Sequence, residues 1–232
     1  MVIVSDQINI ELNREEVCRC LGYSDNRNPS RKILELIDEY LENAYNLIEP
    51  SYLHVVRDIE WVQDSCVLVG GPDDSHSHDV VFEGNVVSEL LEQCHKVGVF
   101  VVTIGQYLED TVFELTNKGH VLQAIVLDAI GSSAVEKVAD FAQGIIRKTA
   151  QGEGCVISRR LSPGHCNWDV GQQKEVFKAV DGDAVGVCLT DQCLMVPQKS
   201  ISSIVGISSS DGNVEEYNPC ETCDKLECVG RR

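Results

Sequence analysis

The segment Arg160-Leu161-Ser162-Pro163-Gly164-His165 sets a guanidinium beside a Pro-Gly turn. Arginine presents a planar fork of donors that matches a carboxylate. The turn bends the chain next to that fork, and glycine allows a ligand close to the backbone amides around Ser162 and Gly164. His165 adds an aromatic ring whose nitrogens titrate and can coordinate metal. Glu136 falls in a helical pattern with Asp140, Gln143 and Arg147 on its polar face and offers a carboxylate to cationic groups. Each residue also has a plain structural reading. Arg160 could bridge to a carboxylate elsewhere in the chain, Glu136 could be a solvated helix position, and Pro163-Gly164 could be a turn and nothing more. The residues alone leave both readings open.

A second group of chemically capable residues ends the chain. Cys220, Cys223 and Cys228 form a C-x2-C-x4-C pattern. Thiolates at this spacing can wrap zinc or an iron–sulfur cluster. A closed site needs a fourth ligand, for which Cys166, His165 or a cysteine of another protein are candidates. Free thiols are the competing reading. The remaining cysteines, Cys18, Cys20, Cys66, Cys94, Cys155, Cys188 and Cys193, sit among apolar runs and read as small buried hydrophobes. The total of eleven is odd, and the chain is longer than most disulfide frameworks, so a disulfide scaffold is not expected. His76-Ser77-His78 could bring two imidazoles to one ion. It stands in a stretch of Gly, Pro, Asp and Ser with no third ligand, which favours an exposed loop.

These residues need elements to hold them. Apolar periodicity predicts helices over 9–21, closed by Gly22, over 31–48, stopped by Pro50, and over 86–97. The longest helix is expected over 121–148, with Ala134, Val135, Val138, Phe141, Ala142, Ile145 and Ile146 as its apolar stripe. Another is expected from Trp168 to about Val180. Runs rich in β-branched residues predict strands over 52–62, 66–69, 97–104, 155–160, 184–189, 194–196 and 201–207. Helices and strands mix without a regular βαβ rhythm, so the fold class is α+β, a largely antiparallel sheet with flanking helices. The expected division is one domain over 1–215 and a Cys-rich tail over 216–232.

Composition narrows the partners. The net charge of −18 over 232 residues is spread along the chain. Such a surface repels phosphate backbones, which argues against nucleic acid and anionic membranes. It either serves solubility alone or steers a cationic ligand or basic protein surface. No apolar run reaches the roughly 18 to 20 residues that span a bilayer, and the N-terminus lacks the basic and apolar regions of a signal peptide. A cytoplasmic location is expected.

Three patches together resemble the activation domain of cobalamin-dependent methionine synthase. They are residues 127–136 (LDAIGSSAVE), residues 158–168 (SRRLSPGHCNW) with Gln172 and Gln173, and residues 186–190 continued by 195–202. They stand in family order across the second half of the chain. The resemblance implies an activation-domain fold that binds S-adenosylmethionine and caps a cobalamin domain whose cofactor has oxidised to cob(II)alamin. One electron and the sulfonium methyl then restore methylcobalamin. It implies that Arg160 takes the ligand carboxylate, with Glu136 at the same site. The family's Asp-x-His-x-x-Gly cobalamin signature is absent, so the cobalamin is expected on a separate corrinoid protein or methyltransferase, with an electron donor protein as a further partner.

His165 departs from the tyrosine usual in the family. It reads as a tolerated aromatic exchange, a hydrogen-bonding group near the corrin, or a cobalt ligand. Two further functions fit the residues. One is a non-catalytic module that binds a corrinoid protein; the other is an iron–sulfur electron carrier using the tail cysteines.

Overall fold

A long helix laid across an antiparallel sheet organises the chain. The computed structural model describes residues 2–3, 8–24, 27–71, 79–180, 182–209, 213–221, 223, 224, 226 and 228. The His76-Ser77-His78 loop lies outside the described residues. The elements in chain order are β1 (Val2–Ile3), α1 (Arg14–Cys20), α2 (Arg31–Ala44), β2 (Ser51–Gln63), β3 (Cys66–Val69), β4 (Val80–Glu83), α3 (Asn85–Leu91), β5 (Lys96–Thr103), α4 (Tyr107–Asn117), α5 (Val121–Gly152), β6 (Cys155–Ile157), α6 (Gln173–Ala179), β7 (Cys188–Leu189), β8 (Met195–Val196) and β9 (Ser200–Ser209). The main sheet runs β4-β3-β2-β5-β9-β6, with β1 also on β2, and every pairing is antiparallel. The α+β expectation holds.

The strand β2 serves two neighbours in turn. Its first half pairs with β5 from Ser51 to Asp58, and its second half turns to β3 across a register shift at Ile59 and Trp61. Helices cover both faces of the sheet, so the central strand β5 carries no polar side chain between Val97 and Val102 and reads as a continuous run. Phe100 and Val102 face one core with α1, α2, α4 and α5. Val97, Val99 and Val101 face the other, with α3, α6 and Trp168. Gly98 marks where α5 crosses the sheet: a Cβ there would stand 3.1 Å from Ile146 and 3.0 Å from Val205.

Local chemistry explains the helix boundaries. Asn13 caps α1, accepting from the Glu16 amide at 3.0 Å, so the helix starts five residues later than its periodicity suggests. Ser30 caps α2, whose end tightens into a 3-10 turn over Tyr45–Leu47. The helix α5 spans 32 residues, about 48 Å at 1.5 Å per residue. Its stripe is as expected: Ala134, Val135, Val138, Ala142 and Ile146 are buried, while Phe141 and Ile145 pack at the margin.

Other expectations need correction. Trp168 does not open a helix; it is buried edge-on against Phe82, with ring centroids 5.8 Å apart, and α6 begins only after a 3-10 turn over Val170–Gln172. The 155–160 strand ends at Ile157, and the expected 184–189 strand starts inside a 3-10 turn over Gly182–Val185 and is extended only in the short β7. The strand β4 and helix α4 escape the sequence pattern. In α4 the reason is visible: Tyr107 and Phe113 are more than half exposed, which blurs its apolar stripe. Cys20 and Cys188 are exposed, not buried as their neighbours suggested. Among the described residues, no helix is long and apolar enough to cross a membrane.

His54 on β2 is enclosed with its Nδ1 buried and unpartnered, stacked on Tyr52 at 5.8 Å. Burial lowers its pKa from the usual 6.5. The unfolded chain therefore binds the proton more readily, and stability falls as pH drops below about 6.5. Urea unfolding at about pH 7.5 and about pH 5.5 should show this loss, with a smaller one in His54→Gln. Equal slopes in both proteins would contradict the assignment.

Candidate functional site

Beyond β6 the chain stays attached to β9 but leaves regular pairing. The Ser158 amide donates to the Gly206 carbonyl at 2.9 Å, and Leu161 and Ile204 exchange both backbone bonds at 3.0 and 2.8 Å. The two residues between are free to turn their side chains off the sheet. Arg159 goes to solvent and Arg160 goes to the polar face of α5.

There the guanidinium meets three residues of one helical stripe. Its Nη1 donates to Asp140 Oδ1 at 2.6 Å and to Gln143 Oε1 at 3.1 Å, and its Nη2 donates to Glu136 Oε2. Positions 136, 140 and 143 are spaced four and three apart, which stacks them on one helix face. The Gln143 amide also donates to the Ser158 carbonyl at 3.4 Å, tying the same strand segment to the same helix. The Arg160 side chain keeps 17% of its surface, against 54% for Glu136 and 58% for Asp140. The cation is thus largely withdrawn from water while its partners are half open to it. Burial acts to lower the Arg160 pKa; the bonds and charges of Asp140 and Glu136 outweigh it, and the net shift is upward.

The stripe continues one turn earlier. Lys199, just before β9, reaches Asp128 Oδ1 at 2.8 Å and Ser132 Oγ at 2.9 Å. Asp128, Ser132, Glu136 and Asp140 therefore form a polar line along α5 with a cation clamped at each end. Counting formal charges, Arg160, Lys199, Glu136, Asp140 and Asp128 sum to −1. Cys20 of α1 borders this line: although its surface is exposed, partial desolvation of the thiol raises its pKa first and the Glu136 charge second.

The turn after Arg160 is a closed unit. The Gly164 amide donates to the Trp168 carbonyl at 2.8 Å, His165 to Ser162 at 3.0 Å and Trp168 to His165 at 3.0 Å. Gly164 adopts φ +92° with open space where a Cβ would stand, so glycine is there for its backbone conformation. Its amide, expected as a ligand donor, is used inside the turn. The Ser162 hydroxyl is buried against Ser203 Oγ at 2.6 Å, a structural pairing. His165 is exposed at the tip.

The structure brings Arg160 and Glu136 together and adds Asp140 and Gln143. Both lay on the polar helix face in the sequence, without a sign that one arginine would gather them. Lys199 was passed over, since a lone lysine carries no spacing signal. In the tail, the Cys166 thiol interacts with Cys223 and Cys220, and burial followed by these neighbours pushes it up to about 12. Cys228 is exposed. Cys166, in place of Cys228, is thus the residue brought to Cys220 and Cys223. Among the described residues, no three His, Cys, Asp or Glu side chains stand already converged on a metal position.

The Arg160 cluster is an open surface. A cavity of about 260 Å³ lies elsewhere, between Lys96, Glu153 and Ile146, and one of about 230 Å³ lies beside α2 at Tyr40 and Leu127.

This chain belongs to the family of the vitamin B12 dependent methionine synthase activation domain, whose profile matches residues 78–218. The matched span holds α5, Arg160, the Ser-Pro-Gly turn and β9. Among solved structures the chain is similar to the crystal structure of the MetH reactivation domain bound to AdoHcy, at 14% identity and a TM-score of 0.60, over 84% of this chain and 70% of that one. At this identity the likeness establishes a shared fold. No curated protein sequence matches the chain.

Arg160 should hold the β6–β9 return to α5 through two replaceable carboxylates. Glu136→Ala or Asp140→Ala alone should cost under about 1 kcal/mol, because each acid is half exposed and leaves the other in place. The double variant strands a largely buried cation and should cost about 3 kcal/mol. A double-mutant cycle by urea unfolding measures the coupling; strict additivity would contradict a shared cluster.

Proposed function

We propose that this chain binds S-adenosylmethionine at the Arg160 cluster and supports reductive methylation of cob(II)alamin held by a separate corrinoid protein. The observation that carries the proposal is the meeting of Arg160 with Glu136, Asp140 and Gln143 beside the Ser-Pro-Gly turn, in a chain of this family. The similar solved domain is bound to AdoHcy, the demethylated form of that ligand.

The charges suit the ligand. S-adenosylmethionine carries one carboxylate, one ammonium and one sulfonium, a net charge of +1, against the −1 of the α5 line. Its carboxylate takes a share of the Arg160 fork, and its ammonium takes Glu136 or Asp140, so the free-state ion pairs are exchanged rather than lost. The demethylated product is neutral overall and leaves the surplus negative charge uncompensated, which favours its release. Ser162 and Gly164 act by shaping the turn that presents Arg160. The open surface leaves one side of the ligand uncovered, and the corrinoid protein supplies the missing wall. A cobalamin brought there by the partner would supply the cobalt centre able to take up one electron and the sulfonium methyl, while Arg160, Glu136 and Asp140 hold the methyl donor. His165 at the exposed tip faces that partner, and an electron donor protein completes a system we place in the cytoplasm. The body over 1–215 carries these roles, with the tail over 216–232 as an adjunct.

One observation favours a second reading. Arg160 is already satisfied by Glu136 and Asp140, as it would be in a non-catalytic module that binds a corrinoid protein and no longer takes S-adenosylmethionine.

Calorimetric titration separates the two. The intact chain should bind S-adenosylmethionine more tightly than its demethylated form, and more weakly as salt rises. Arg160→Ala should lose about 10- to 100-fold, the worth of hydrogen bonds to a charged group at about 1.5–3 kcal/mol. His165→Tyr should bind as the parent does. No heat of binding with the intact chain, together with affinity for a corrinoid protein, would establish the second reading and overturn the first.

A further inference from the structure

The cavity beside Lys96 and Glu153 plays no part in the proposed function. Its floor is one end of the sheet. Asp58 of β2, Lys96 of β5 and Ile207 of β9 stand in one row across three strands, with Val56 in the neighbouring row opposite Gly98. Residues paired directly across antiparallel strands point to the same face, here the face that carries Phe100 and Val102 toward α5. The roof is α5, through Ile146, Thr149, Ala150 and Glu153, which share one helix side because they lie at helical spacing from Ile146. Helix and sheet close up at Gly98, where a Cβ would stand 3.1 Å from Ile146. The space of about 260 Å³ opens beside that crossing. Its lining is divided in character. Val56, Ile146, Ala150 and Ile207 are apolar, and Val56 keeps 42% of its surface exposed. Lys96, Asp58 and Glu153 supply one cation against two anions. The Lys96 ammonium meets Glu153 Oε2 at 3.4 Å, a long ion pair that leaves the lysine 33% and the glutamate 54% exposed. Asp58, paired with Lys96 across the strands, is exposed as well.

We propose that this cavity binds a free amino acid with an apolar side chain of about leucine size. Such a ligand brings an ammonium for the surplus carboxylate, a carboxylate for the lysine and an apolar branch for the open valine. The ammonium enters between Asp58 and Glu153, and the ligand carboxylate takes Lys96 in exchange for its long contact with Glu153. The side chain covers Val56 and lies against Ile146, Ala150 and Ile207, withdrawing their surfaces from water. Both charged ends are needed together. An amine alone leaves Lys96 without a new partner, and an acid alone adds a third anion to the two already there. Volume sets the size of the ligand. Sites for drug-sized ligands enclose roughly 300–1,000 Å³. At about 260 Å³ the cavity suits an amino acid and is too small to enclose a nucleoside conjugate such as S-adenosylmethionine. The site is therefore distinct from the Arg160 cluster, and binding involves no covalent step.

The test is titration of the full chain with L-leucine, followed by amide NMR and calorimetry. Saturable binding is expected, with a Kd on the order of 1 mM or below and shifts confined to Val56, Asp58, Lys96, Ile207 and the last turns of α5. Isoamylamine is leucine without its carboxylate, and isocaproate is leucine without its ammonium. Each should bind at least about 10-fold more weakly than leucine. Lys96→Ala should weaken leucine by about 5- to 10-fold, between the worth of an exposed pair and that of a charged hydrogen bond, and leave isoamylamine no weaker. Asp58→Asn should weaken leucine and isoamylamine and spare isocaproate. Partial unfolding would weaken all three ligands alike, so the opposed preferences of the two variants report on the site itself. No saturable shift with leucine up to about 20 mM would overturn the proposal. So would equal affinity for isoamylamine, or shifts at the Arg160 guanidinium in place of those at the cavity. The titration contains no S-adenosylmethionine, so its outcome stands apart from that of the ligand titration at Arg160.

Discussion

A single guanidinium withdrawn from water sets the organisation of the family-matched part of this chain. Arg160 sits where the chain has left the regular sheet, between the Ser158 amide's bond to the Gly206 carbonyl and the exchange of backbone bonds between Leu161 and Ile204. A cation at 17% exposure has to be paired, because an isolated buried charge is far costlier than any single packing contact. Asp140 and Glu136 supply that pairing from successive turns of α5. The consequence is geometric: strand return, long helix and Ser-Pro-Gly turn are fixed to one another through one residue. The proposed ligand would enter at the same residue, because the ion pairs its amino-acid end would displace are of its own chemical kind.

The sheet and its helices provide the rigid support this arrangement needs. The strand β5 is buried on both faces, and α5 crosses it at Gly98, where the missing side chain lets Ile146 and Val205 close in. Lys199 pins the neighbouring turn of α5 to the entry of β9 through Asp128 and Ser132. The polar line along α5 is thereby held at both ends. On the opposite side of the turn, Trp168 fills the second core against Phe82 and stops the loop from swinging. The Glu136 and Asp140 side chains are half open to water, yet the backbone around Arg160 is tied to the sheet, the long helix and the second core.

Much of this was legible in the residues, for identifiable reasons. The α5 stripe was readable because its apolar positions repeat at helical spacing over many turns, and the same spacing put Glu136, Asp140 and Gln143 together. Arg160 was readable through the resemblance and the turn beside it. The closure of Arg160 on that stripe was not, since it depends on where β6 leaves the sheet, and no local pattern records a long-range return. The helix α4 was missed because its exposed Tyr107 and Phe113 hide the periodicity. Gly164 was read as room for a ligand, whereas its positive φ and its bond to Trp168 show a residue spent on the turn itself. The tail spacing pointed to Cys228 and left Cys166 as one of several further candidates; the tertiary course of the chain brings Cys166 to Cys220 and Cys223.

The central claim, that the Arg160 cluster is where the ligand sits, is tested most directly by amide and guanidinium NMR during titration with S-adenosylmethionine. The expected result is a set of shifts confined to residues 132–143 of α5, Arg160 and the turn to Trp168, with the signals around Lys96 and Glu153 unmoved. Shifts centred on that other cavity, or none at the Arg160 guanidinium at saturating ligand, would contradict the account.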